Sequence, residues 1–502
     1  MSGKKLLAAV AAAVVVIAVA AYFIIVPGQE KEYAEQIRIY LESMPGNPKV
    51  GSIEVNFLGK KAEAKNLTSD YVDGMGMRHE MSLDTLTIAG ANLDMNNSQG
   101  VIPIMDSMQG KNFVLKSTGK DYTGQDISTE VSVDSFEFTN IRGDVAGLQA
   151  LSASGSITSD PNSFFKVLST FSAGSGSATN YVVKANTMGG PMMARVGSMS
   201  GKDMSMLTVR DGSWKDWNIS MMNMEICTIE SMNVAKMSIP AFDMDMLQEM
   251  EQSGADGAEA LQAMFSKGPI VIEGMEINNL NINPLKSEPV IMKKLAMDWH
   301  IALDRVAIKA KVDNFMVPVS IYRMASPELA RFASDYGKPF DISSAIDVDI
   351  TQNNGNGDIS LKDFLLQDAG LGMATAQAEL TYRTEDNSFQ TLLDEGADEV
   401  LLKSASATIK DTGIVDVILK ASMGSGASGQ DLRGMAAMAA EQQAAQTVNP
   451  DHKMFMEGMA KLLRQPGTLT MKAAPAQPTN VESLGMPGAA PLNLTADFTP
   501  AN

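Results

Sequence analysis

The chain has 502 residues, 45% of them hydrophobic and 20% charged, and carries a formal net charge of −19. Those proportions suit a folded chain long enough for two or three ordinary domains or one large repetitive one. The acidic excess excludes a broad basic surface for nucleic acid, and it excludes wide electrostatic attachment to anionic headgroups. Any lipid contact is therefore apolar or runs through an anchor. A single cysteine, Cys227, excludes an intrachain disulfide and a thiolate cluster. It lies in an alternating apolar segment, which points to an inert buried thiol.

Leu6–Val26 is an uncharged run of 21 residues, LLAAVAAAVVVIAVAAYFIIV. At the helical rise it spans about 30 Å, the thickness of a hydrocarbon core. Lys4 and Lys5 precede it and an acid-containing segment follows. The positive-inside rule then predicts a single-pass signal anchor in a bacterial inner membrane, with everything after Pro27 in the periplasm. The alternative is a cleaved signal peptide with Ala18-Val19-Ala20 as recognition site, but the run is longer than such segments and ends in bulky residues. Beyond it, Tyr33, Ile37, Tyr40, Leu41 and Met44 recur at helical spacing, and Pro45-Gly46 ends that helix.

From Val50 the period changes to two, with Ile53, Val55 and Phe57 alternating with polar residues, and most of the chain reads the same way. Within it an apolar–x–apolar–x–x pattern repeats. It appears as Met81/Leu83, Leu86/Ile88, Ala91/Leu93, and again as Val131/Val133, Phe136/Phe138, Ile141. It returns as Cys227/Ile229, Met232/Val234, Met237/Ile239, Phe242/Met244, and as Ile270/Ile272, Met275/Ile277, Leu280/Ile282. Each five-residue step flips the parity of a strand, so the strand must bulge, bend or bury both faces. A pentapeptide β-helix would use this pattern, but the consecutive units are few. Related supersecondary units, each a bent strand pair, fit the irregular intervals better.

Further strands are expected at 291–300, 303–315, 344–352, 357–365, 373–383, 403–410 and 413–421, with a hairpin at Asn353–Gly357. Helices are expected from Asp160-Pro161 to Phe171, from Ser326-Pro327 to Tyr336, within Phe242–Lys267 and within Asp431–Leu463. Flexible joints are expected at Ser172–Asn180, Gly424–Gly429 and Ala473–Pro491. The chain then divides into a tail and anchor (1–28), a first β-rich region (29–171), a Met-rich strand region with a helix (181–285), and a C-terminal β-rich region with helices and a Pro-rich tail (286–502). The fold class is mainly β with interspersed helices (α+β), an extended and curved antiparallel sheet behind the anchor.

Four pieces of sequence, the expected anchor leading into VGSIEVNFLGKKAEAKNL, VIEGMEINNLNINPL at 271–285, FASDYGKPFDISSAIDVDITQNNGNGDISLKDFLLQDAGLGMATAQAEL at 332–380 and LLRQPGTLTMKAAPAQP at 462–478, cover about a third of the chain. In them it resembles bacterial envelope proteins of AsmA-like and DUF945-type architecture. The resemblance implies an anchored extended sheet and an association with lipid handling, and it brings no catalytic residue.

Candidate chemistry is sparse. His79, His300 and His452 lie far apart, and no G-x-S-x-G, H-E-x-x-H or P-loop occurs. Asp243/Asp245 and Asp347/Asp349 would each share one strand face, which suits a solvated outer face as well as a carboxylate pair. Asn354, Asn356 and Asp358 begin like an EF-hand loop, but Leu365 stands where the bidentate glutamate belongs. Methionine stands out: 37 residues, 14 of them between Met188 and Met250, with Met-x-Met pairs at 75/77, 204/206, 222/224, 244/246 and 454/456. Thioethers can hold Cu(I), but most of these occupy apolar slots, where methionine packs cores or lines adaptable grooves. The sequence therefore assigns no catalytic residue, cofactor or metal. It predicts a non-enzymatic envelope protein with an apolar groove at Met232, Val234, Met237, Ile239, Met275, Ile277, Leu280 and Ile282, serving lipid transport or membrane homeostasis. The alternative is a scaffold that binds envelope proteins by strand addition.

Overall fold

The computed structural model describes most of residues 48–502, together with Lys31, Ala34, Glu35 and Arg38. Outside the described residues lie 1–30, the rest of 32–47, the connecting segments 91–99, 145–166, 241–267, 326–335, 385–398, 424–428 and 481–489, and some shorter stretches. The expected anchor, the helices expected at 242–267 and most of those at 160–171 and 326–336 fall there. The four described residues between 31 and 38 are helical. Among the described residues no helix is long and apolar enough to cross a membrane. The chain is mainly β, with a few helices, and divides into two compact units, 1–255 and 256–502.

The first unit is an antiparallel meander. Its strands are β1 (Lys49–Asn56), β2 (Lys61–Val72), β3 (Arg78–Ala89), β4 (Ile102–Lys120), β5 (Asp126–Gly143), β6 (Ser172–Thr187), β7 (Gly190–Ser205), β8 (Thr208–Met221) and β9 (Met224–Ser238). Each pairs with the next. One face is apolar, and its densest part joins Val50, Leu67, Leu83, Leu86, Ile88, Ile104, Met105, Met108 and Ile141.

The five-residue pattern has a specific origin here. Every ladder of this unit breaks at one level, where a residue of each strand is skipped by the pairing: Gly51, Asn66, Asp84, Asn112, Asp134, Asn180, Gly197, Asp216 and Glu230. On alternate strands that residue is left-handed, with φ of 54° at Asn66, 53° at Asn112, 49° at Asn180 and 57° at Asp216. Asn and Asp tolerate this conformation better than other L-residues because their short side chains bond locally. Asn112 Nδ2 donates to Asp84 Oδ2 (2.8 Å), and Asn180 Nδ2 donates to Asp134 Oδ2 (2.5 Å). Gly51 and Gly197 lie beneath the left-handed side chains: a Cβ at Gly51 would stand 3.0 Å from Asn66 Cβ, and one at Gly197 2.8 Å from Asp216 Cβ. Because all nine strands change parity together, apolar residues three apart, such as Leu83 and Leu86, stay on one face.

The second unit begins with β10 (Ile270–Ile282), β11 (Val290–Ala302), β12 (Arg305–Val317), a short helix α1 (Val319–Ala325), β13 (Phe340–Asn353), β14 (Asn356–Asp368), β15 (Gly372–Arg383) and β16 (Glu399–Asp411). Then come α2 (Ile414–Met423), α3 (Gly429–Gln446), α4 (Pro450–Arg464), β17 (Gly467–Ala473), β18 (Thr479–Asn480) and β19 (Thr495–Pro500). β10–β16 pair in sequence, β16 pairs with β17 and β18, and β17 with β19, all antiparallel. The expected hairpin is there, Asn353 pairing with Asn356.

Parity changes in this unit scatter. Bulges occur near Gly274, Asn314, Lys362 and Lys403. Two carry lysines: Lys362 Nζ donates to Asp349 (3.0 Å) and Lys403 Nζ to Asp358 (2.5 Å). α3 and α4 approach closely through Ala437, Ala440, Ala444 and Ala460, all buried. Gly458 of α4 rests on Leu469 and Ala496, at 3.1 and 3.0 Å from where its Cβ would be. Asn449 caps α4 by accepting from the amides of Asp451 and His452, with Pro450 following in the first turn. Arg433 of α3 is 3% exposed and spans Asp411 (2.5 Å) and Asp416 (2.6 Å), and it also donates to the Leu462 carbonyl (3.2 Å).

Three expectations are corrected. The stretches Met81–Ile88, Val131–Ile141, Cys227–Met237 and Ile270–Ile282 of the five-residue runs each lie on one long strand rather than a bent strand pair, and the antiparallel pairing excludes a β-helix. Ser172–Asn180 is no joint but the first half of β6. Its small residues make room for large neighbours, since a Cβ at Gly176 would meet Phe138 and Met204 at 2.8 and 2.7 Å. The strand expected at 413–421 is helix α2. Asp411 Oδ1 accepts from the amides of Gly413 (2.9 Å) and Val415 (3.3 Å), and this local capping outweighs the β-branched composition.

Candidate functional site

The apolar face of the first unit is built from rows that run across its strands. One row pairs Ile53, Ala64, Leu86, Gly110, Phe136, Ala178, Met199, Trp214 and Met232 in unbroken succession. Directly opposed side chains stand about 5 Å apart, so from Ile53 to Met199 large residues alternate with small ones and the large lean over the small. A Cβ at Gly110 would meet the Phe136 ring at 2.2 Å. On the other side of the polar level runs Val50, Leu67, Leu83, Phe113 and Val133, continued by Tyr181, Val196, Trp217 and Ile229.

Between these rows lies a hollow of ≈ 540 Å³ on β2–β7. Leu67, Met81, Leu83, Leu86, Met108, Phe113, Leu115, Val131, Val133, Phe136, Phe138, Met199 and Met204 supply nearly all its surface, with Phe171 from the segment before β6. The volume lies within the ordinary range for ligand sites. Five inter-strand steps of about 4.8 Å make it about 24 Å long across the strands. The next row outward, Tyr71–His79–Ser117–Thr129, is polar and borders it. There His79 Nδ1 lies 2.9 Å from Ser117 Oγ and its ring stacks on Tyr71 at 4.9 Å. Burial pushes the Tyr181 hydroxyl above its ordinary pKa, in keeping with an apolar wall. A second hollow of ≈ 400 Å³ on β4–β8 has Lys116, Glu130, Lys184 and Met192 in its lining, and Lys184 pairs with Glu130 at 2.8 Å.

Of the residues expected to form a groove, Met232, Val234 and Met237 lie on β9, with Ile239 just after it, while Met275, Ile277, Leu280 and Ile282 lie on β10 in the other unit. None lines the 540 Å³ hollow. Val234 is buried and Ile282 is 41% exposed. The residues that do line it include two of the four five-residue runs, those of β3 and β5. The signal that singles out the β5 run is its aromatic pair, Phe136 opposite Ala178 and Phe138 opposite Gly176 of β6.

The remaining candidates are accounted for locally. Asp349 accepts two hydrogen bonds from Arg305, both 2.9 Å, and one from Lys362. The Arg305 guanidinium holds its carboxyl below the usual range against the opposing effect of burial, with Lys362 adding to the pull. Asp243, Asp245 and Asn354 lie outside the described residues. Asp358 is paired with Lys403 and Thr381. Cys227 is half-buried and burial raises its thiol pKa. His300 is half-buried on β11, and His452 lies on α4 with its Nδ1 3.3 Å from Thr447 Oγ1. Among the described residues no group of three His, Cys, Asp or Glu side chains could hold a metal ion.

No curated protein matches the chain. A family model described as "Uncharacterized protein" matches residues 358–498. That stretch runs from β14 to β19 and includes α2–α4, so the likeness concerns the helix-bearing end of the second unit and not the apolar hollow.

Proposed function

We propose that this is a non-enzymatic protein of the bacterial cell envelope, held at the inner membrane by Leu6–Val26, whose periplasmic first unit binds lipid acyl chains. The observation that carries the reading is the 540 Å³ hollow with its almost wholly apolar lining. A bilayer's hydrocarbon core is about 30 Å thick, so one acyl chain reaches about 15 Å, and a groove about 24 Å long takes it at full extension. Methionines at 81, 108, 199 and 204 can follow a chain of varying shape. The polar row at His79 and Ser117 limits the apolar surface at one side, as a site for a tail with a wet headgroup would. The AsmA-like resemblance, with its association with lipid handling, points the same way.

The test is extraction of lipid from the full-length protein purified in mild detergent, with and without Ala178→Trp. Ala178 lies between Phe136 and Met199, so an indole there fills the hollow. The expected result is stoichiometric acyl lipid in the parent and none in the variant, with melting temperatures close together. Equal lipid content in the two would defeat the reading. Brominated acyl chains should also quench Trp214, which is paired with Met199. An alkaline-phosphatase fusion after Asn502 tests the topology: activity is expected, and an inactive cytoplasmic fusion would overturn it.

A further inference from the structure

The last row of the same face leads to a second site of different chemistry. On β7, β8 and β9, Met192 stands directly opposite Met221, and Met221 directly opposite Met224. Opposed side chains of this kind lie about 5 Å apart. Met221 and Met224 are joined by a two-residue turn, Met222–Asn223, with φ of 52° and 61°. Turns with both central residues left-handed favour Asn, Asp or Gly at those positions. Asn223 conforms and Met222 does not. Among the described residues, every other non-glycine position with positive φ is Asn or Asp, apart from Lys60.

Two further observations set this corner apart from packing. The thioethers are not in a core: Met192 is 39% exposed, Met222 48% and Met224 45%. The turn is also tied to the neighbouring hairpin. The Met222 amide donates to the Pro191 carbonyl (2.7 Å), and the side chain lies back beside Gly190, where a Cβ would stand 3.1 Å from Met222 Cγ. A strained backbone that is held in place and presents an apolar side chain to water needs a reason beyond the turn. The neighbouring carboxylate, Glu225, is already engaged by Asn218.

We propose that Met192, Met221, Met222 and Met224 form a thioether site for a soft monovalent cation, Cu(I), for which Ag(I) is a faithful probe. Thioethers are soft donors and select such ions over zinc, magnesium or calcium. They carry no proton in this range, so binding releases none and is independent of pH between about 5 and 8, unlike a thiolate or imidazole site. The proposal does not depend on the acyl-chain reading.

The experiment is titration with Ag(I) of the full-length protein in detergent, with Cys227→Ser in parent and variants so that the lone thiol cannot take the ion, followed by calorimetry and by the methyl resonances of 13C-labelled methionine. One ion per chain is expected, bound at least about 100-fold more tightly than by the triple variant Met192→Leu, Met222→Leu, Met224→Leu, a difference of about 2.7 kcal/mol. Leucine nearly conserves volume, so the variant stays folded, and its melting curve checks that. Met204→Leu, in the hollow, leaves binding unchanged. Met222→Asn relieves the turn, so the melting temperature rises while Ag(I) affinity falls. Equal affinity in parent and triple variant, loss in Met204→Leu, a steep pH dependence, or undiminished affinity in Met222→Asn would each overturn the site.

Discussion

The two units handle the same problem, a strand too long to keep strict alternation, in different ways. In the first, every strand changes parity at one shared level, besides separate bulges near Ile104, Gly212 and Ile226, so one face stays apolar from β1 to β9 and a hollow is left between its rows. In the second, bulges fall at separate places, two of them on lysines that pair with Asp349 and Asp358. Its far end is instead closed by α2–α4, with Ala437, Leu469 and Asp411 fully buried. Aligned irregularities preserve an open surface, whereas helices with small residues at their contacts fill one. The first arrangement is suited to binding and the second to stability. The family match at 358–498 covers the second alone.

The contrast can be broken most severely at Arg433. Its guanidinium loses hydration on burial, and the carboxylates of Asp416 and Asp411 more than offset this, leaving it above its ordinary pKa. Arg433→Met strands Asp411, which is 0% exposed, without its cation. Breaking a buried pair in this way should cost about 3–5 kcal/mol. Chemical denaturation should show the loss in the second unit, and the double variant Arg433→Met, Asp411→Asn, which removes the charge and keeps the oxygen that caps α2, should recover much of it. A single variant as stable as the parent would show that the helical end does not rest on this cluster.

In the first unit the corresponding intervention is smaller and falls on the polar level. Asn112→Ala places a β-carbon residue at φ 53° and removes the bond to Asp84, and should cost about 1–2 kcal/mol. Asn112→Gly should cost less, because glycine accepts the backbone. If the level acts as one line, Asn112→Ala and Asn180→Ala should be non-additive in denaturation midpoints.

On β10 of the second unit, Ile277→Asp tests whether the five-residue pattern marks packed surface there as well. Ile277 is half-buried opposite Leu295. A charge should destabilise by about the 1.5–3 kcal/mol of a buried aliphatic side chain or more, with acyl-lipid content unchanged. Loss of lipid without loss of stability would move the groove to β10.

The smallest effect is on the acid limb. In the folded chain the Asp349 carboxyl titrates below its ordinary value, held there by Arg305. Its contribution is therefore present above the unfolded carboxylate pKa of about 3.9 and is lost as pH falls through the lower folded value. Asp349→Asn should flatten the decline of stability below about pH 4 and change it little near neutrality, apart from the cost of the altered pair, as melting curves across that range would show.

The amino-acid sequence by itself determined the alternation of the strands, the hairpin at Asn353–Asn356 and the helices of Asp431–Leu463, because each rests on neighbours within a few residues. It also announced the parity problem, since the spacing of Leu83 to Leu86 or Phe136 from Val133 is visible without coordinates. It could not show that these steps lie at one level, for that depends on which residue of one strand faces which of the next. Ser172–Asn180 reads as a linker because its small side chains have no local purpose. Their purpose lies on β5, in Phe136 and Phe138. Likewise Met192, Met221 and Met224 are 32 residues apart from first to last, and only the pairing of β7, β8 and β9 puts them in one row. Local propensity is written along the chain, whereas register is a relation between distant segments, and the apolar hollow and the thioether row are both products of register.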